Sequence, residues 1–195
     1  DGGGPVGIMG ALRAEEADYL DWLPMAAPYT LLERPRVLLV NLGGAISAQM
    51  ARHKDAAAVT IAERDPEVVR LLRDDPAVST FTGRVLDDPL IRLAPGEPRA
   101  HCAASRGAYD LVEISLVDSV GLSDPGGYPV SENYTYTVEA LKTYLGSLAP
   151  NGILSITVWN RLDPPRNVLR LLASVVEALR EAGAADPQER LFVFD

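Results

Sequence analysis

Arg36-Val-Leu-Leu-Val-Asn-Leu-Gly-Gly-Ala-Ile-Ser47 decides the fold. Val37 to Val40 is an aliphatic run without polar alternation, the pattern of a parallel strand covered on both faces. It breaks at Gly43-Gly44 and passes into a helix-like pattern. Glycines at such a break let the backbone turn sharply and let a ligand approach it, with the following helix N-terminus aimed at the same spot. The stretch reads as the first strand, glycine turn and first helix of a Rossmann-like nucleotide-binding unit. Strand-to-helix turns that bind nothing share this pattern, so the surrounding segments have to decide.

Downstream, strand and helix signals alternate, which calls for a parallel sheet with helices on its faces. The second strand is Ala58 to Ala62, and Pro66 opens a helix through Arg73, proline suiting a first turn. A loop holding Asp74-Asp75-Pro76 and Asp87-Asp88-Pro89 leads to a third strand near Leu90 to Leu93. A short helix around Arg99 to Ser105 precedes the fourth strand, Tyr109 to Val117. Residues 119–136 form a long glycine- and proline-bearing loop. Thr137 caps a helix from Val138 to Leu148, and Pro150-Asn151-Gly152 stops it and feeds a fifth strand, Ile153 to Trp159. Asn167 to Ala182 is amphipathic, and Arg190 to Asp195 reads as a strand start, so the sheet is expected to lack its C-terminal strands. The expected organisation is a leader, residues 1–35, that packs Trp22, Leu23 and Leu31 on the domain without chemistry of its own, and an α/β doubly wound domain, residues 36–195.

Bulk composition narrows the function. With 47% hydrophobic and 23% charged residues the chain is an ordinary globular protein, and its formal charge of -9 argues against a nucleic-acid-binding surface. One cysteine, Cys102, excludes an internal disulfide and suits a reducing, cytoplasmic setting. His53 and His101 are the only histidines, too few for a Cys/His metal site or a serine-histidine triad, so no metal is expected. No apolar run reaches a membrane span, although the start at Asp1 leaves an excised domain of a membrane-anchored parent open.

Two carboxylates sharpen the ligand. Glu63 lies at the end of the second strand, about 20 residues past Gly43, where such folds place an acid on the ribose hydroxyls. The alternative is an exposed strand-end charge. The dinucleotide fingerprint is incomplete, since Asn41, Leu42, Ala45 and Ile46 supply no third glycine, and no phosphate loop is present. Glu97, in Gly96-Glu-Pro-Arg99, sits just past the third strand on the same edge. Two carboxylates beside one nucleoside repel a pyrophosphate but suit an adenosine that carries a sulfonium.

The segments Val37 to Ala45, Thr60 to Val69, Gly96 to Arg99, Tyr109 to Gly121 and Leu148 to Leu154 together resemble the spermidine synthase family. Within it the likeness is greatest to bacterial spermidine synthase-like domains fused to membrane segments. The resemblance implies a class I methyltransferase-type fold that binds S-adenosylmethionine or its decarboxylated form and transfers an aminopropyl or related alkyl group to a small-molecule amine. It implies that Gly43 and Gly44 line the methionine-like tail, Glu63 holds the ribose, Glu97 sits near the adenine and Asp118 helps hold the amine. The family's proton-abstracting aspartate falls on Ser115, and a serine with no base beside it cannot take a proton near neutral pH. Glu113 shares the parity of Ser115, about 6.6 Å away along the strand, and reads as a displaced base or as a buried carboxylate needing a partner. Tyr128, Tyr134 and Tyr136 are expected to offer ring faces to a cationic acceptor, or else to anchor a surface loop. A small-molecule methyltransferase and a catalytically inactive ligand-binding or scaffold domain are the alternatives, and a homo-oligomer stays open.

Overall fold

The computed structural model describes residues 7–115, 134–158 and 166–194. Its strands are β1 (Arg36–Val40), β2 (Ala58–Glu63), β3 (Ile91–Pro95), β4 (Tyr109–Ser115) and β5 (Leu148–Thr157). Between and after them run α1 (Ile46–His53), α2 (Pro66–Asp74), α3 (Pro76–Phe81), α4 (Pro98–Ala104), α5 (Val138–Ser147) and α6 (Arg166–Glu181). All four ladders are parallel, in the order β3-β2-β1-β4-β5. This is the Rossmann-like doubly wound sheet expected from β1. Strand order reverses between β1 and β4, the switch point where open parallel sheets form a crevice at their carboxyl edge.

β1 is apolar on both sides because both sides are covered. Val37 and Leu39 pack with Met50, Ile61 and Leu111, while Leu38 and Val40 pack with Val112, Ile114 and Leu141. Each such side chain, fully withdrawn from water, stabilises the fold by roughly 1.5–3 kcal/mol. The first layer holds α1 and the leader, and the second holds Cys102 of α4, Leu141 of α5 and Ala178 of α6.

Three local expectations need correction. Asp74-Asp75-Pro76 is the start of α3 rather than loop, since the Asp75 carboxylate accepts from the backbone N–H of Ala77 and Val78, both at 2.9 Å, and Pro76 fills the first turn. β5 begins at Leu148 rather than Ile153. Its pairing shifts between Tyr109↔Leu148 and Leu111↔Ile153, so Pro150-Asn151-Gly152 is absorbed as an irregularity inside the strand. Leu191 to Phe194 forms no strand, and Phe192 and Phe194 meet at a 42° tilt with ring centroids 5.3 Å apart.

Of the leader residues expected to pack on the domain, Leu23 does and Trp22 and Leu31 do not. The leader forms two 3-10 helices, Ala14–Trp22 and Pro24–Thr30. A three-residue turn puts positions three apart on one face, and Leu20, Leu23, Ala26 and Tyr29 accordingly line up against the first core layer. Met25 and Pro28 are buried beside them, whereas Trp22 and Leu31 are 88% and 77% exposed. Among the described residues no helix is long and apolar enough to cross a membrane.

Candidate functional site

The turn after β1 keeps a glycine-like backbone although glycines are few. Asn41, Gly43 and Ala45 have φ of 71°, 51° and 69°, all in the left-handed region. Asparagine tolerates this region, whereas alanine pays roughly 1–2 kcal/mol in it. Tertiary contacts hold the turn in that shape. Asn41 N–H donates to the Ala62 carbonyl at 2.9 Å, and Leu42 N–H donates to Glu63 Oε2 at 2.7 Å. Glu63 Oε1 accepts from Asp65 N–H at 2.8 Å, so one carboxylate ties the turn after β1 to the turn after β2. Only 7% of Glu63 is exposed, so it is a buried carboxylate rather than an exposed strand-end charge. Each of its oxygens keeps a second lone pair for a hydroxyl donor.

Gly96 N–H donates to the Glu63 carbonyl at 3.0 Å, which brings the turn after β3 to the same edge. There Glu97 precedes α4 with an exposed side chain. Gly43, Gly44, Glu63 and Glu97 therefore stand at the carboxyl ends of three adjacent strands.

Gly44 is needed for a different reason from Gly43. Its φ is not positive, but a Cβ built on it comes within 1.7 Å of the Gly7 carbonyl oxygen. The leader lies directly on the turn, with Met9 N–H donating to the Gly44 carbonyl at 2.8 Å. Nothing in the sequence signals a contact between segments so far apart in the chain.

Glu113 is the other buried acid, 1% exposed. It sits on β4 opposite Leu39, faces the first layer, and meets three hydroxyls. Tyr29 OH donates to Oε2 at 3.0 Å, Ser115 Oγ donates to Oε1 at 2.9 Å, and Ser47 from the first turn of α1 also bonds the carboxylate. Burial pushes Glu113 above the ordinary carboxylate range, and the three hydroxyls offset this only in part. Burial, with the Glu113 charge beside it, raises the Tyr29 phenol far above its usual value, so it remains a donor. Tyr29 belongs to the leader, to which sequence reasoning gave no chemistry. Its one sequence signal is its place in the row of residues three apart.

Ser115 ends the described part of β4, half-buried and opposite Thr157 of β5. Asp118 and Tyr128 lie outside the described residues. Tyr134 is 58% exposed, and Tyr136 packs with the second core layer whereas Tyr29 packs with the first. Burial pushes the Cys102 thiol up to about 11, which leaves it little thiolate to react. Among the described residues no three His, Cys, Asp or Glu side chains group as a metal site.

No family model matches the chain. A curated relative, polyamine aminopropyltransferase 2 of Streptomyces coelicolor, is 32% identical over 123 residues, which cover 62% of this chain. A spermidine synthase from Thermotoga maritima superposes over 87% of the chain with a TM-score of 0.57 at 18% identity. The likeness is to a polyamine aminopropyltransferase over part of the sequence and to spermidine synthase in fold. A spermidine synthase solved with the transition-state analogue AdoDATO covers 83% of the chain, with a TM-score of 0.55 at 14% identity. At such identities the superpositions establish the class I methyltransferase fold. The chain spans 49% and 51% of the two solved synthases and 21% of the curated relative.

Proposed function

We propose that this spermidine synthase-like domain is a transferase that binds S-adenosylmethionine or its decarboxylated form and passes an aminopropyl or related alkyl group to an amine. The observation that carries the reading is the glycine turn clamped by buried Glu63 at the switch point. A carboxylate there can accept both ribose hydroxyls while keeping its backbone partners. The name of the Streptomyces relative favours aminopropyl over methyl transfer. Most of the residues present fit an adenosyl ligand: Gly43 offers backbone to its tail, Glu63 would hold the ribose and Glu97 would border the adenine, whereas Gly44 is covered by the leader.

When bound, the sulfonium supplies an electrophilic carbon beside sulfur. The chain contributes positioning, which is a large share of such a displacement. Asp118 is assigned to the amine on the resemblance, and the rings of Tyr128, Tyr134 and Tyr136 on the capacity of an aromatic face to hold a cation.

Calorimetric titration with S-adenosylmethionine, its decarboxylated form and methylthioadenosine, on the wild type and on Glu63→Ala, tests the reading. Binding that vanishes in a folded Glu63→Ala variant supports it, and no binding to any of the three refutes it. Release of methylthioadenosine indicates aminopropyl transfer, and S-adenosylhomocysteine indicates methyl transfer. One observation favours a second reading, a ligand-binding or scaffold domain without catalysis: the leader lies on Gly44, where the ligand's tail is assigned. Tight binding without turnover on a broad amine panel selects it.

A further inference from the structure

We propose that Ser115 and Glu113 form a proton relay, in which the Ser115 hydroxyl accepts a proton from the acceptor amine while passing its own proton to Glu113. The inference rests on the transferase reading and deepens it, because it replaces the base that Ser115 by itself does not supply.

Geometry carries the argument. Glu113 is 1% exposed and cannot meet an amine directly, whereas Ser115 is half-buried, two residues nearer the carboxyl edge. The serine hydroxyl already donates to Glu113 Oε1 at 2.9 Å. A hydroxyl that donates one bond keeps two lone pairs, so an N–H on its open side completes the chain. Pairing of Glu113 with Ser155 and of Ser115 with Thr157 fixes both residues on a central strand, a rigid platform for such a pair.

The surroundings favour proton uptake by the carboxylate. The groups that bond Glu113 are Tyr29 of the leader, Ser47 of α1 and Ser115 of β4. Among the described residues no lysine, arginine or histidine contributes to its shift. With burial uncompensated by a cation, its proton affinity is raised above that of an ordinary carboxylate, the direction that strengthens a general base. Tyr29 bonds Oε2 and Ser115 already donates to Oε1, which makes Oε1 the arriving proton's site. Tyr29 is thus a positioning residue.

The balance is complete. The amine N–H breaks as an O–H forms on Ser115, and the original Ser115 O–H breaks as an O–H forms on Glu113 Oε1. The freed nitrogen pair makes the new N–C bond, and the electron pair of the broken C–S bond stays on sulfur. Glu113 later releases the proton to solvent by the reverse path.

The test compares wild type, Ser115→Ala, Glu113→Gln, Ser115→Asp and the Ser115→Asp/Glu113→Gln double variant. Turnover is read as methylthioadenosine release from decarboxylated S-adenosylmethionine across pH, folding by circular dichroism, and donor binding by calorimetry. Ser115→Ala and Glu113→Gln are each expected to lower kcat about 100-fold or more with donor affinity retained. Ser115→Asp places a carboxylate at the rim, so the double variant is expected to regain activity that Glu113→Gln alone lacks. A readout independent of turnover is the infrared carboxyl band of Glu113, assigned by its loss in Glu113→Gln, which should titrate at a different pH in Ser115→Ala. A wild type that turns over while Ser115→Ala keeps pace overturns the relay and leaves the transferase reading standing. A Glu113 titration that ignores Ser115→Ala also overturns the relay. A wild type that binds donor but never releases methylthioadenosine overturns the transferase reading, and the relay with it.

Discussion

Replacing Tyr29 with phenylalanine removes one oxygen and leaves the ring in place, so it isolates the bond between the leader and Glu113. The lost bond is 3.0 Å long and its acceptor is 1% exposed, so no water replaces it without cost. A buried bond to a charged acceptor is worth about 1.5–3 kcal/mol, and one to a neutral acceptor about 0.5–1.5 kcal/mol. Which value applies depends on pH. The folded pKa of Glu113 is raised above its ordinary 4.5, so below that value the group is protonated in both folded and unfolded chains. As pH rises from 4.5 through the folded pKa, the native state holds a proton that the unfolded state has released, and the group's contribution to stability is lost. Tyr29 donates to the charged form, so its removal raises the folded pKa further and deepens that loss. The deficit of Tyr29→Phe is therefore expected to grow from about 1 kcal/mol on the acid side to about 2–3 kcal/mol on the alkaline side. For a chain of this size the larger figure lowers Tm by roughly 4–12 °C. Urea unfolding of both proteins at about pH 5 and about pH 8.5 measures it. A deficit that stays flat or shrinks as pH rises refutes the reasoning, as does one below about 0.5 kcal/mol throughout.

Gly44→Ala drives a methyl group into the Gly7 carbonyl, so residues 7–12 must lift off the turn. A loss of about 1–3 kcal/mol and faster hydrogen exchange at Met9 N–H are expected, and removing the leader up to residue 10 should abolish the difference between glycine and alanine. Ala45→Gly relieves a left-handed alanine at the expense of one buried methyl group. The two effects nearly cancel, so unfolding should show between no change and a gain of about 1 kcal/mol, and a loss above about 1 kcal/mol contradicts the strain.

Much of the frame was legible along the chain. The apolar run of β1 had to be a doubly covered parallel strand, because four consecutive aliphatic residues leave no polar face for solvent. Thr137 was recognisable as a cap, and its hydroxyl accepts from Ala140 N–H at 3.2 Å. Asp75-Pro76 carried the same kind of signal and was passed over as loop, because two Asp-Asp-Pro runs look alike and only the first is followed by a helix. Of the expected leader anchors Leu23 packs on the core but Trp22 and Leu31 are exposed, because apolar bulk in the sequence does not say which side chains the sheet covers.

What the sequence determined by itself is everything set by neighbours in the chain: strand and helix periods, caps, the glycine break after β1 and the acid at the end of β2. What only the tertiary structure decided is how distant segments complete one another. Asn41 and Ala45 hold conformations that glycine usually supplies because Ala62 and Glu63 bond the turn from the next strand. Gly44 is required because Gly7 lies on it, and Glu113 can remain in the core because Tyr29, 84 residues earlier, brings it a hydroxyl. The physical reason is the same throughout: local patterns choose backbone conformations, but a buried polar group or a close backbone approach is satisfied only by whatever the completed fold brings alongside.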